Sequence, residues 1–289
     1  MSHSLRRITN HLWFRQSELY LTNSGVFVSR GHALLIDPAV FPHEIRDIAD
    51  FLTSHGIAPR LIALTHSHWD HILGPEQFPG VETIAHATYR ACVRRDSRTI
   101  LDDIEQWCRE TGLRRSVPFS IPAPDVVCND TLDVRIGDLS LQFLHVPGHA
   151  ADQLAVYEPD SGTLWASDIL SDVEIPFVSD SITAYEHTLD RLSALDIRVL
   201  IPGHGHVTTD TSEIVRRFEE DMTYLSGLRA RVTRAIHDGQ GVEETVATCR
   251  DMAYRHPEIN ERPHRNNVES VYAELGGGTD YEKVGWNKT

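Results

Sequence analysis

The amino-acid sequence predicts an α/β protein that ends in a helical section. Three observations predict it. Over roughly the first two-thirds of the 289 residues, short apolar runs alternate with stretches of helical period. Glycine, proline and other turn-forming residues punctuate those runs. From about residue 209 onward the pattern is helical. The length suits one large domain or two modest ones. A composition of 40% hydrophobic and 24% charged residues is that of a chain able to bury a core.

Residues 26–28 and 33–37 read as strands parted by the turn pair Arg30-Gly31. Residues 43–55 carry Ile45, Ile48, Ala49 and Leu52 at helical spacing, and Gly56 stops that helix. Residues 60–65 and 81–85 are compact apolar strands. Residues 87–112 show helical spacing at Ile100, Ile104 and Trp107-Cys108, and Pro118, Pro122 and Pro124 follow. That stretch, 87–125, reads either as a lid over a cleft or as a plain connecting helix and loop. Leu132, Val134 and Ile136 alternate at period two, Gly137-Asp138 turns the chain, and Leu139, Leu141 and Phe143 alternate again. Strands 154–157 and 163–166 flank Pro159-Asp160-Ser161-Gly162. A helix over 181–194 starts from Ser181 as its cap, and a strand over 198–201 follows. Helices are expected over 211–237, 242–254 and 267–275. The organisation expected is an α/β part over 1–210, a helical section over 211–275 and a flexible tail over 276–289. There is no internal repeat or low-complexity block.

Lys and Arg number 27 against 42 Asp and Glu, a net charge of −15. That balance disfavours nucleic acid, whose binding rests on cationic contacts to phosphate. Arginine dominates the cations, and the only lysines are Lys283 and Lys288. No run approaches the roughly 18–20 apolar residues of a membrane span, so no membrane is expected. Arg6-Arg7 is not followed by the apolar core of a secretory leader, and the four cysteines show no CxxC spacing. The expectation is a cytoplasmic protein with free thiols. Seventeen histidines invite a search for metal-ligand spacing.

The search ends at Thr65-His66-Ser67-His68-Trp69-Asp70-His71, directly after the apolar run 61–64. Three imidazoles and a carboxylate crowd into six residues, and both groups are common ligands of first-row metals. In an extended turn His66 and His68 point the same way, while Asp70 and His71 turn to a neighbouring point. One loop can therefore feed two metal positions. Three later places repeat one grammar, an apolar strand, then a turn, then a potential ligand. Leu144-His145-Val146-Pro147-Gly148-His149 offers His149, Leu164-Trp165-Ala166-Ser167-Asp168 offers Asp168, and Ile201-Pro202-Gly203-His204-Gly205 offers His204. The glycines let the backbone turn sharply at the strand ends. The remaining candidates have plainer readings. His145 and His86 suit the core or the support of a ligand, His206 suits a loop, and Trp69 suits packing.

These residues resemble the signature of the metallo-β-lactamase superfamily, HxHxDH followed by separate His, Asp and His ligands. The resemblance runs over about residues 12–210 and implies that 1–210 is the catalytic domain. It implies an αβ/βα four-layer sandwich, two β-sheets face to face with helices outside. By position it also implies the ligand sets. His66, His68 and His149 would bind a first metal, Asp70, His71 and His204 a second, and Asp168 would bridge them. Two Zn2+ are expected, with Mn2+ or Fe2+ as alternatives. Such a pair lowers the pKa of a bridging water toward about 7, and the hydroxide attacks a carbonyl or phosphoryl centre. Asp70 is the candidate catalytic residue that takes up and relays the proton.

The resemblance implies a dinuclear metal-dependent hydrolase of a small ester, lactone, thioester or β-lactam-like amide. A phosphodiesterase or ribonuclease of the same fold, and a mononuclear-iron sulfur dioxygenase, are the alternatives. Gly205-His206 stands where glyoxalase II enzymes carry Glu-Tyr. Ile169-Leu170-Ser171 stands where acyl-homoserine lactonases place a tyrosine. Secreted β-lactamases lack the bridging Asp. The stretch from Asp168 to Gly205 looks most like the β-lactamase-like protein 2 group, in which a helical segment also follows. Arg265-Asn266-Asn267-Val268-Glu269 resembles a closing helix of generic hydrolases of the superfamily. Substrate contacts are expected from Trp107, Asp172, Glu174 and Phe177. The partner expected is a small-molecule substrate. A homo-oligomer stays open, because the helical C-terminal third can either cover the cleft or pair with a second copy.

Overall fold

Strand propensity, a period of two and turn residues place the first sheet within residues 5–128. The structure, a computed structural model, describes residues 5–115 and 117–276. It falls into two compact units, one ending at His145 and one starting at Val146. The expected tail lies, beyond Gly276, outside the described residues, as do Lys283 and Lys288.

The first unit holds a seven-stranded sheet in sequential order. Its strands are β1 (Arg6–Arg7), β2 (Leu12–Gln16), β3 (Asn23–Ser29), β4 (His32–Ile36), β5 (Ala58–Ala63), β6 (Glu82–His86) and β7 (Val126–Cys128). The first four pair antiparallel, and β4 to β7 pair parallel. Parallel neighbours need crossovers. Helix α1 (Pro42–Ser54) joins β4 to β5, and α2 (Tyr89–Thr111) lies between β6 and β7. Pro42 starts α1, and the buried carboxylate of Glu44 accepts the N–H of Phe41 at 3.1 Å. Gly112 ends α2 in the left-handed region, at φ 70°. Both helices pack an apolar stripe on the sheet, in a core that includes Val26, Leu35, Ile48, Ile62 and Ile104. A hairpin of β8 (Thr131–Ile136) and β9 (Leu139–His145), turned at Gly137-Asp138, completes the unit.

In the second unit β10 (Leu154–Glu158) pairs antiparallel with β11 (Thr163–Ser167), and β11 pairs parallel with β12 (Val199–Pro202). Helix α3 (Ile182–Ser193) is the crossover, and the Ser181 hydroxyl accepts the Ala184 N–H at its start. Three helices follow, α4 (Thr211–His237), α5 (Val242–Cys249) and α6 (Pro257–Glu274), and α4 packs on α3, α5 and α6. None of the described helices is long and apolar enough to cross a membrane.

The α/β class with C-terminal helices is as expected, and several boundaries differ. Strands β1, β2 and β7 have no counterpart in the sequence reading. They are short, or they mix Arg and Gln with apolar residues. The helix expected over 242–254 ends at Cys249. The helix expected over 267–275 starts ten residues earlier, at Pro257. Proline suits a first helical position because its missing N–H has no intrahelical partner there. Pro263 and a polar sequence mask the rest of α6.

Candidate metal centre

Seven His and Asp side chains belong to groups that could hold a metal ion: His66, His68, Asp70 and His71 come from the first unit, and His149, Asp168 and His204 from the second. In the first unit the cluster lies past the carboxyl end of β5, where parallel strands commonly present ligands. Asp37, just past the neighbouring β4, organises it. Asp37 adopts a left-handed φ of 41° and is buried. Its carboxylate accepts the Thr65 N–H at 2.8 Å, the Thr65 hydroxyl at 2.6 Å and the Nδ1–H of His71 at 2.9 Å. A carboxylate can only accept from that imidazole, so the His71 proton sits on Nδ1 and Nε2 keeps its lone pair. Burial holds the Asp37 carboxyl above its ordinary value, and the bonds from His71 and Thr65 offset only part of that rise.

A short 3-10 turn, Trp69–His71, then places Asp70 Oδ2 at 3.7 Å from His71 Nε2. His66 and His68 converge, with Nε2 of the first 2.9 Å from Nδ1 of the second. His66, Asp70 and His71 are buried, and His68 is partly exposed. The field here is negative. On α2, Asp103 is pushed up to about 6, by burial first and then by the charges of Asp70 and Asp102. A divalent cation suits this set of converging imidazoles and buried carboxylates.

In the second unit a β-bulge interrupts the β11–β12 pairing between Trp165 and Ser167, and Ser167 takes φ 57°. Bulges re-aim side chains at strand ends. Here the side chain is Asp168, whose Oδ2 lies 3.4 Å from His149 Nε2 and 3.2 Å from His204 Nε2. The backbone carbonyl of Phe177 accepts the Nδ1–H of His149 at 3.0 Å, so the ring proton sits on Nδ1. The two glycines of the Pro-Gly turns have separate reasons. Gly148 has φ 131°, and a Cβ there would stand 2.4 Å from the Tyr185 Cα. A Cβ at Gly203 would stand 2.0 Å from Asp168 Oδ1, so Gly203 makes room for the carboxylate. Two imidazoles aimed at one buried carboxylate oxygen also suit a shared cation.

Of the expected substrate contacts, Trp107 is buried on α2, with ring centroids 5.5 Å from both Phe41 and Trp69. The Phe177 ring lies 5.6 Å from His149. Asp172 accepts the His206 N–H at 2.7 Å, contacts the His206 ring at 2.8 Å and lies 3.8 Å from Arg217. Burial would raise the Asp172 carboxyl, but the His206 amide, Arg217 and the His206 ring outweigh it and hold it below its ordinary value. The Glu174 carbonyl accepts from Arg255 at 3.3 Å. His145 stacks on His86 at 3.6 Å between centroids and 9° between planes. Asp37 and the Phe177 carbonyl, which orient His71 and His149, escape the sequence reading. The one available signal for Asp37 is an acid followed by proline at the end of an apolar strand.

Fold and clusters together define a class: an α/β protein whose strand ends carry His/Asp sets suited to divalent metal. The family model described as the metallo-beta-lactamase superfamily matches residues 18–204, and the chain belongs to that superfamily. A linear primary-alkylsulfatase of Pseudomonas sp. (strain ATCC 19151) is 24% identical over 57% of this chain and 38% of its own length. An acyl-coenzyme A thioesterase of Homo sapiens is 26% identical over 55% of this chain and 65% of its own length. The chain thus spans less than two-thirds of either relative. The solved structure of the stereoselective inverting sec-alkylsulfatase Pisa1 from Pseudomonas sp. superposes with a TM-score of 0.73 at 15% identity, over 99% of this chain and 51% of that one. The likeness shows the metallo-β-lactamase fold.

Proposed function

We propose that this protein is a metal-dependent hydrolase that holds two divalent ions, zinc with manganese or iron as alternatives, and cleaves a small ester, thioester, lactone or amide. The observation that carries the reading is the loop after β5. Its donors are packed within six residues, and Asp37 pre-orients His71 from behind. The superfamily signature extends the set. It assigns His66, His68 and His149 to one ion, Asp70, His71 and His204 to the other, and Asp168 to both.

When bound, the ions would supply the positive field that acidifies water and polarises a substrate oxygen. The protein's own groups do the rest. Asp70 accepts the proton of the attacking water at a carboxylate oxygen and holds it for the leaving group. Asp37 and the Phe177 carbonyl keep His71 and His149 in the tautomer protonated at Nδ1. The thioesterase relative supports an acyl substrate. An alkyl sulfate ester is a second reading, favoured by the two alkylsulfatases among the similar proteins, one of which superposes over 99% of this chain.

Metal analysis with a substrate panel tests this. The panel holds an acyl-coenzyme A, p-nitrophenyl acetate, a γ-lactone, a β-lactam, an alkyl sulfate and bis-p-nitrophenyl phosphate. Two divalent ions per chain and turnover of the acyl substrates are expected. Both His68→Ala and Asp70→Ala should abolish turnover with an unchanged circular dichroism spectrum. Cleavage of the alkyl sulfate alone selects the sulfatase, and cleavage of the phosphodiester alone selects the phosphodiesterase. One iron per chain with oxygen uptake selects the dioxygenase. Full turnover in both variants sinks the reading.

A further inference from the structure

The segment between Asp168 and α3 has no regular secondary structure, yet Leu170, Ile175, Phe177 and Val178 are buried. Buried backbone must find hydrogen-bond partners. Side chains of the C-terminal helices and of the link before α6 supply them. Arg217 of α4 donates to the Leu170 carbonyl at 3.2 Å, and Arg255 donates to the carbonyls of Ser171 and Glu174. On α6, Asn260 accepts the Ile175 N–H at 3.4 Å and donates to the Val173 carbonyl at 2.9 Å. Seven residues on, the same face presents Asn267. Asn267 accepts the Val178 N–H at 2.8 Å and donates to the Pro176 carbonyl at 2.6 Å. It therefore grips the chain on both sides of Phe177, whose carbonyl fixes His149.

Asn267 is itself fixed from behind. Its Nδ2 donates a second proton to the Tyr224 oxygen at 2.9 Å. Tyr224 lies 2.9 Å from His264 Nδ1, and His264 Nε2 lies 3.0 Å from the Cys249 carbonyl. The direction of every bond is determined. A carbonyl only accepts, so His264 Nε2 carries the proton. Burial lowers the His264 pKa and keeps the ring neutral, so Nδ1 accepts from the Tyr224 hydroxyl. The tyrosine oxygen is then left to accept from Asn267, which turns the amide oxygen toward Val178.

We propose that Asn267 is a positioning residue for the metal centre, and that the relay Cys249, His264, Tyr224, Asn267 on the C-terminal helices sets the orientation of His149 through the Phe177 carbonyl. The proposal rests on the reading of His149 as a metal ligand.

The test is Zn2+ affinity, measured by competition with a chromophoric chelator, together with the absorption spectrum of the Co2+-substituted protein. Asn267→Ala should weaken binding about 10-fold or more and alter the cobalt spectrum, as loss of a ligand's supporting partner does. Val271→Ala, an apolar truncation buried on the same helix, should lower Tm and leave both readouts unchanged. Unchanged zinc affinity in Asn267→Ala overturns the proposal. An equal loss in Val271→Ala also overturns it, because packing would then be the cause. Should Asn267→Ala fail to fold, Tyr224→Phe removes only one hydroxyl of the relay. A several-fold loss is expected there, and unchanged affinity counts against the proposal equally. His149→Ala is the reference. If it too binds zinc at full strength, the metal reading itself has failed and the proposal falls with it.

Discussion

Three hydrogen bonds converge on the Asp37 carboxylate, and two of them end on one oxygen, Oδ2. Asp37→Asn leaves a single acceptor oxygen for three donors. It should weaken Zn2+ binding about 10- to 100-fold and destabilise the fold by about 1–3 kcal/mol, read by chelator competition and by denaturant titration. Gly203→Ala tests a steric constraint, since its Cβ would stand 2.0 Å from Asp168 Oδ1. The carboxylate must move, so that variant should lose metal while an alanine at Gly241, where the added atom meets nothing within 4 Å, should bind metal normally. Legibility at this scale depends on density. His66, His68, Asp70 and His71 stand out because they crowd together in the sequence. Asp37 does not, because its partners lie 28 and 34 residues away and meet it only where β4 and β5 run side by side. Asp172 shows the converse. An acid soon after Asp168 invites a substrate role, yet its carboxylate is engaged by His206, whose contact with it depends on how the chain returns.

Elements with a clean period are legible, and elements held by remote polar contacts are not. Helix α4 has the bounds its spacing predicts, 211–237. Helix α6 is masked because its buried face includes Asn260, His264 and Asn267, whose roles are hydrogen bonds rather than apolar contacts. Its last residue, Glu274, also serves α3 by accepting the N–H groups of Ile182 at 2.7 Å and Thr183 at 3.3 Å. A carboxylate at a helix N-terminus favours the dipole and satisfies free donors. Glu274→Ala should therefore cost about 1 kcal/mol, and Glu274→Gln less, by denaturant titration. The stacked pair between β6 and β9 gives a pH test. Burial, and then the neighbouring His145, lower His86 to about 4 from its ordinary 6.5. A depressed histidine contributes stability that is complete above pH 6.5 and is lost as pH falls toward 4. His86→Gln should flatten the fall in Tm across that window, measured with chelator present so that metal release does not contribute.

At the scale of the whole molecule, an anionic chain of net charge −15 buries carboxylates at Asp37, Asp70 and Asp168 beside imidazoles. The His and Asp residues that could hold metal are legible along the chain, because they follow the spacing of the superfamily signature. The grip of the C-terminal helices on the segment after Asp168 is not, because asparagines reading backbone amides leave no periodic trace. Ions that bind only the folded state stabilise it by mass action, roughly 4 kcal/mol at a thousandfold excess over Kd. At about 2–4 °C per kcal/mol, metal removal should lower Tm by roughly 10 °C, and re-addition of Zn2+ should restore it. The pH dependence discriminates metal binding from a nonspecific salt effect. Ligand imidazoles must be neutral to bind, and their ordinary pKa is about 6.5. The difference in Tm between metal-loaded and chelated protein should therefore shrink as pH falls through that value. A difference that holds steady from pH 8 to pH 5 would mean that the ion binds through carboxylates alone, and that the histidines of the two clusters are not its ligands.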